Sequence, residues 1–136
     1  MHKFKELTVW TKAVDLAADM YKITGRFPSD EKFGLIAQIN RCAVSIPSNI
    51  AEGSGRNTSG EFIHFLGISI GSSFELETQL IIANKLDYID NETLEITVKK
   101  INDIQNMTFG LLKKIKEQQT VKYKMGNVFG YPYAST

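Results

Sequence analysis

Apolar residues recur at spacings of three and four along four segments of the chain, the repeat expected of one face of a helix with 3.6 residues per turn. In the first segment Trp10, Ala13, Val14, Ala17, Met20, Tyr21 and Thr24 form the stripe, with Lys12, Asp15, Asp19 and Lys22 largely off it. Gly25 then offers a left-handed stop. Pro28 with Ser29, Asp30 and Glu31 reads as the start of a second helix, because carboxylates there face unsatisfied first-turn amides. Leu35, Ile39, Cys42, Ala43, Ile46 and Ile50 carry its stripe to about Glu52. A third helix starts with Thr58 or Ser59 as cap, and Thr58 with Glu61 fits the S/T-x-x-E capping box. Phe62, Phe65, Leu66, Ser69, Ser73, Leu76, Leu80, Ala83 and Leu86 follow at helical spacing. Asn91 caps a fourth, in which Leu94, Val98, Ile101, Gln105, Thr108, Leu112 and Ile115 hold the period to about Gln119.

Four amphipathic helices joined by short links predict an all-α fold, an antiparallel up-and-down four-helix bundle over residues 1–119. Residues 120–136 hold two glycines, a proline and three of the five tyrosines, without any period. They read as an irregular C-terminal tail, apolar enough to dock on its own bundle or on a neighbour.

The stretch SIPSNIAEGSGR, residues 45–56, interrupts this regularity. Pro47 falls inside the second helical stripe, where a proline deletes one backbone hydrogen bond, costs about 3 kcal/mol in an exposed helix and commonly bends it. Arg41, Ser45, Ser48 and Glu52 follow at steps of four, three and four and so share a face, with Asn49 beside them. On the third helix Ser69, Gly71, Ser72 and Ser73 lead into Glu75, Glu77 and Gln79. Small residues let two helices approach closely, and a guanidinium nearby can donate charge-assisted bonds to carboxylates. The pattern predicts that Arg41 pairs with Glu52, Glu75 or Glu77 in a buried or interfacial network that fixes helix register; the bland alternative is a solvated polar face.

Composition adds limits. With 136 residues, 43% hydrophobic and 23% charged, the chain is long enough for one domain with a core. Cys42 is the single cysteine, so an intrachain disulfide is excluded and the residue reads as a small apolar filler. Neither a signal-peptide core nor an uncharged apolar stretch of about 20 residues occurs, which predicts a cytoplasmic protein without a membrane span. The formal net charge is +1, yet it is polarised. Lys113, Lys114, Lys116, Lys122 and Lys124 stand against Glu117, whereas seven acids against three lysines fill residues 75–103. These five lysines, with Arg56, are the candidate contacts to RNA or DNA, although lysines in a last helical turn also complement the helix dipole.

Chemistry beyond binding finds little support. Glu61 and His64 give one E-x-x-H, whereas a di-iron bundle needs two such motifs and two further glutamates. His2 is the only other histidine, so neither metal nor cofactor is expected. The EGSGR run lacks the G-K-[ST] ending of a phosphate loop. Glu75 and Glu77 are two residues apart, about 200° around a helix, and cannot act as one acid–base pair. No catalytic residue is expected.

The text of residues 4–89, above all SIPSNIAEG followed by Arg56, then F-x-x-F-L at 62–66, G-S at 71–72 and ELETQL at 75–80, resembles the four-helix bundle proteins called 23S rRNA intervening sequence proteins, relatives of the accessory protein of diversity-generating retroelements. The resemblance implies antiparallel bundles assembled as a ring-like homopentamer, with no enzymatic activity, and retroelement relatives that bind nucleic acid and reverse transcriptase. In such a ring the line of Arg41, Ser45, Asn49 and Glu52 becomes a subunit seam. The expected function is a homo-oligomeric interaction or scaffold protein with RNA or DNA contact; the alternative is an adaptor for a protein partner, through the tail or the acidic surface.

Overall fold

Most of the described backbone lies in four α-helices, α1 (Thr8–Thr24), α2 (Leu35–Ser54), α3 (Ser59–Lys85) and α4 (Asn91–Val128), with 3₁₀ turns at Phe4–Glu6 and Ser29–Glu31. The structure, a computed structural model, describes residues 2–128. Each helix packs on the next, and α4 closes the set against α1. The α2–α3 contact is the most extensive and α1–α4 the thinnest.

The apolar stripes meet in one core, where Leu16, Met20, Ile39, Ile46, Ile50, Leu66, Leu76, Leu80, Ile101 and Ile115 are fully buried. Each such side chain contributes about 1.5–3 kcal/mol relative to exposure. The α1 stripe is displaced from the expected one. Val9 and Leu16 enter the core, while Val14 and Tyr21 remain exposed, because the apolar arc of this helix is wider than the face its neighbours cover. Two ion pairs staple α1 to α4 across the thin seam, Lys12 Nζ to Asp103 Oδ2 and Lys100 Nζ to Asp19 Oδ2, both at 3.1 Å.

Helix ends depart from the sequence expectation in four places. Gly25 is right-handed (φ −61°), and α1 ends through 3₁₀-type bonds from Arg26 N to Ile23 O and Phe27 N to Thr24 O, which fold Phe27 into the core. Helix α2 starts at Leu35 and not near Pro28. Gly34 has non-helical backbone (φ −103°, ψ −113°), and the Glu31 carboxylate folds back so that Oε2 accepts from Leu35 N at 3.0 Å. A side chain on Gly34 would put its Cβ 2.8 Å from that oxygen, so glycine makes room for the cap. Asp90, one residue before the expected Asn91, caps α4: its Oδ1 accepts from Thr93 N at 2.7 Å and holds the Asp90 carboxyl below the usual range. Finally, residues 120–128, expected to be irregular, belong to α4, and the rest of the expected tail, 129–136, lies outside the described residues.

Two expected features are found in place. Thr58 caps α3, its hydroxyl accepting from Glu61 N at 3.1 Å. Pro47 lies inside α2, buried, and the helix runs through it without a break. The α3–α4 turn is closed by Asp87 at φ 62°, with Tyr88 N bonded to Ala83 O and Asp87 N to Asn84 O, a Schellman arrangement with aspartate where glycine is usual.

Candidate functional site

The SIPSNIAEG segment forms the joint between α2 and α3. Ser45 Oγ lies 2.8 Å from Ser72 Oγ across the two helices. Asn49 Nδ2 donates to Ser45 O at 2.8 Å and to Ser45 Oγ at 2.9 Å, which fixes that hydroxyl within its own helix. One turn along, Ser69 Oγ donates to Ile46 O at 3.0 Å, and Ser69 is fully buried. Further on, a Cβ added to Gly53 would stand 2.7 Å from Phe65 Cβ and 3.0 Å from Phe62 Cδ1. Hydroxyls and one absent side chain therefore let the two backbones approach closely, and the bonds they make are to each other. At the far end His2 N donates to Ser54 O at 2.9 Å and the His2 ring stacks obliquely on Phe62, so the N-terminal residues seal this joint.

The remaining residues of the predicted line are placed differently. Ser48 and Arg41 are exposed on the outer side of α2. Glu52 pairs with Arg56 four residues later, and the Arg56 guanidinium also lies 4.8 Å from the Phe65 ring centroid. Arg41 makes no ion pair with Glu52, Glu75 or Glu77 among the described residues. Glu75 is exposed and accepts from Gln79 Nε2 at 3.4 Å, while Glu77 is half-buried. Burial and the neighbouring Glu75 carboxylate push the Cys42 thiol up to about 11, which makes it a proton-retaining filler and a poor nucleophile.

Sequence reasoning assigned no role to Gly53 and gave Ser72 no partner. The close approach of Gly53 to Phe62 and Phe65 depends on a contact between helices, which periodicity along one helix does not carry. Gln79 Oε1 and Gln105 Nε2 are buried without a hydrogen-bond partner among the described residues.

Four of the five lysines border two grooves on α4 that share Glu117 and Val121. Lys113 and Lys116 border a shallow groove on α4 with Phe109, Leu112, Thr120 and Val121. Lys114 and Lys122 border another with Ser59 and Gln118. Lys124 is exposed. Among the described residues no group of three or more His, Cys, Asp and Glu side chains could hold a metal ion, and no helix is long and apolar enough to cross a membrane. His64 is exposed with its ring against Phe65.

This is an all-α four-helix protein whose most distinctive polar segment is spent on helix packing. Residues 5–110 match the model of the 23S rRNA-intervening sequence protein family, and the chain belongs to that family. Its fold is similar to the crystal structure of a protein of unknown function from the S23 ribosomal protein family of Bacteroides thetaiotaomicron, with a TM-score of 0.71 and 25% identity over 78% of this chain and 99% of that one. No curated protein matches the chain.

Proposed function

We propose that the protein is a non-enzymatic, cytoplasmic interaction or scaffold protein, built from antiparallel up-and-down bundles that assemble as a homo-oligomer, a ring-like pentamer, with a secondary RNA- or DNA-binding role. The observation that carries this reading is that Ser45, Asn49 and Ser72 bond one another and Ser69 bonds the Ile46 carbonyl, which commits these polar groups of the segment to helix packing. The antiparallel arrangement is supported by the α1–α4 ion pairs: Lys12 meets Asp103 and Asp19, further along α1, meets Lys100, earlier along α4. For α2 and α3 the same order holds, with Ser45 at Ser72 and Gly53 at Phe65.

The nucleic-acid role rests on the exposed lysines of α4; Arg56 is a lesser contact, because Glu52 already engages it. Binding through about four lysines should weaken about 100-fold between roughly 50 and 200 mM salt. Native mass spectrometry, with and without nuclease treatment, reads assembly and cargo together. A five-protomer mass agrees with the ring; a single protomer mass rejects the scaffold, and no binding of structured RNA at low salt rejects the nucleic-acid role.

A further inference from the structure

A strip on the outward side of α3, bordered by the exposed Glu75, carries no charge over four turns. Gly67, Gly71, Phe74, Thr78, Ile81 and Ile82 follow at helical spacing, and all six are exposed. Phe74, Ile81 and Ile82 are 49%, 42% and 44% exposed, a continuous apolar strip on the surface of a bundle. Helix α4 also exposes apolar side chains, Ile96, Phe109 and Val121 among them, but it sets them among Glu92, Glu95, Lys99, Lys113 and Lys116.

The two glycines have no use inside the chain. A Cβ at Gly67 or Gly71 would meet nothing within 4 Å, whereas at Gly53 it would strike Phe65. Glycine in a helix interior costs stability relative to alanine, so an exposed pair one turn apart calls for a backbone approaching from outside. Small residues at one end of the strip and large ones at the other give it a hollow and a ridge, the form by which packed helices interlock.

We infer that this face of α3, residues 67–82, is where a second copy of the chain seats; the inference rests on the homo-oligomer reading above and names its seam. Charge selects the occupant. With no lysine or arginine within residues 67–82, the strip offers nothing to a phosphate backbone or an anionic lipid surface. Arg41 on α2, and Glu75 and Glu77 on either flank of the strip, carry no ion pair among the described residues. Two copies in contact set this cation against those carboxylates. At 16 basic against 15 acidic residues, copies gathered together accumulate little repulsion.

The test is the solution mass of the full chain by light scattering at one protomer concentration, for wild type, Gly71→Arg, Phe74→Asp and, on the outer side of α4, Asn106→Arg. Wild type and Asn106→Arg should share a mass several times the 15.3 kDa protomer, while Gly71→Arg and Phe74→Asp fall to one protomer with unchanged helical circular dichroism. Should both of these variants fail to fold, Gly71→Ala decides: it raises helix propensity, yet at the seam it should move dissociation to at least tenfold higher concentration. Folded Gly71→Arg at the wild-type mass, or Gly71→Ala with unchanged dissociation, overturns the seam and leaves the oligomer standing. A wild-type protein of one protomer mass overturns both.

Discussion

Ser45 and Ser72 face each other across the α2–α3 joint with their hydroxyl oxygens 2.8 Å apart, and Asn49 holds the first of them in place. A half-buried hydroxyl pair of this kind contributes about 0.5–1.5 kcal/mol. Ser45→Ala should cost about 1 kcal/mol, since it strips a partner from both Ser72 and Asn49. In a double-mutant cycle Ser45→Ala and Ser72→Ala should couple by about 0.5 kcal/mol or more, measured by urea unfolding. Strict additivity would mean that the hydroxyls merely coexist.

The Glu31 carboxylate does two jobs, accepting from Leu35 N at the start of α2 and from the Tyr88 hydroxyl at 3.2 Å. Replacing it by alanine should remove a cap worth about 0.5–2 kcal/mol. Burial, together with Glu31, holds the Tyr88 phenol above its ordinary value, so the same substitution should bring its titration back down. Ultraviolet titration of tyrosine ionisation in Glu31→Ala checks this; an unmoved Tyr88 would contradict the coupling.

These caps mark the limits of what periodicity reveals. The four helices were legible because core contacts impose a 3.6-residue repeat on Ala13, Met20, Ile39, Leu66 and Ile101. Helix ends answer to single side chains: Gly34 breaks the backbone ahead of α2, and Asp90 takes the cap that Asn91 could have supplied. The last turns of α4 carry no apolar repeat because Val121 and Met125 are exposed, and helix formers such as Lys, Gln and Met sustain them without one. The polar line on α2 was legible as a line, but its division between a joint (Ser45, Asn49) and an outer surface (Arg41, Ser48) depends on where α3 lies. That the outer strip of α3 is apolar could be seen in the sequence; that it is outside could not.

Cys42 should be nearly inert in the folded protein. With its thiol at about 11, about one molecule in a thousand carries the thiolate at pH 8, and the group is buried as well. Labelling by iodoacetamide should therefore follow global unfolding, and a native-state rate matching a free thiol would contradict this.

The sign of the alkaline effect follows. The folded chain keeps on Cys42 a proton that the unfolded chain releases from about pH 8.5 upwards, so stability falls as pH rises from there through about 11. Tyr88 acts in the same direction at higher pH, and Asp90, held low, removes stability only as pH falls below the usual carboxylate range. Urea midpoints taken across pH 7–10.5 should decline at the alkaline end, less so in Cys42→Ala.

The close approach of α2 and α3 is most directly tested by one pair of urea midpoints, for Gly53→Ala and Gly110→Ala at equal protomer concentration. At Gly110 an added Cβ meets nothing within 4 Å, so alanine should raise stability by about 0.5–1 kcal/mol through helix propensity alone. At Gly53 the same methyl lands 2.7 Å from Phe65 Cβ, and the overpacking should lower stability by about 1–3 kcal/mol. Opposite shifts of the two midpoints are the predicted result; a Gly53→Ala midpoint that rises alongside that of Gly110→Ala would contradict the joint.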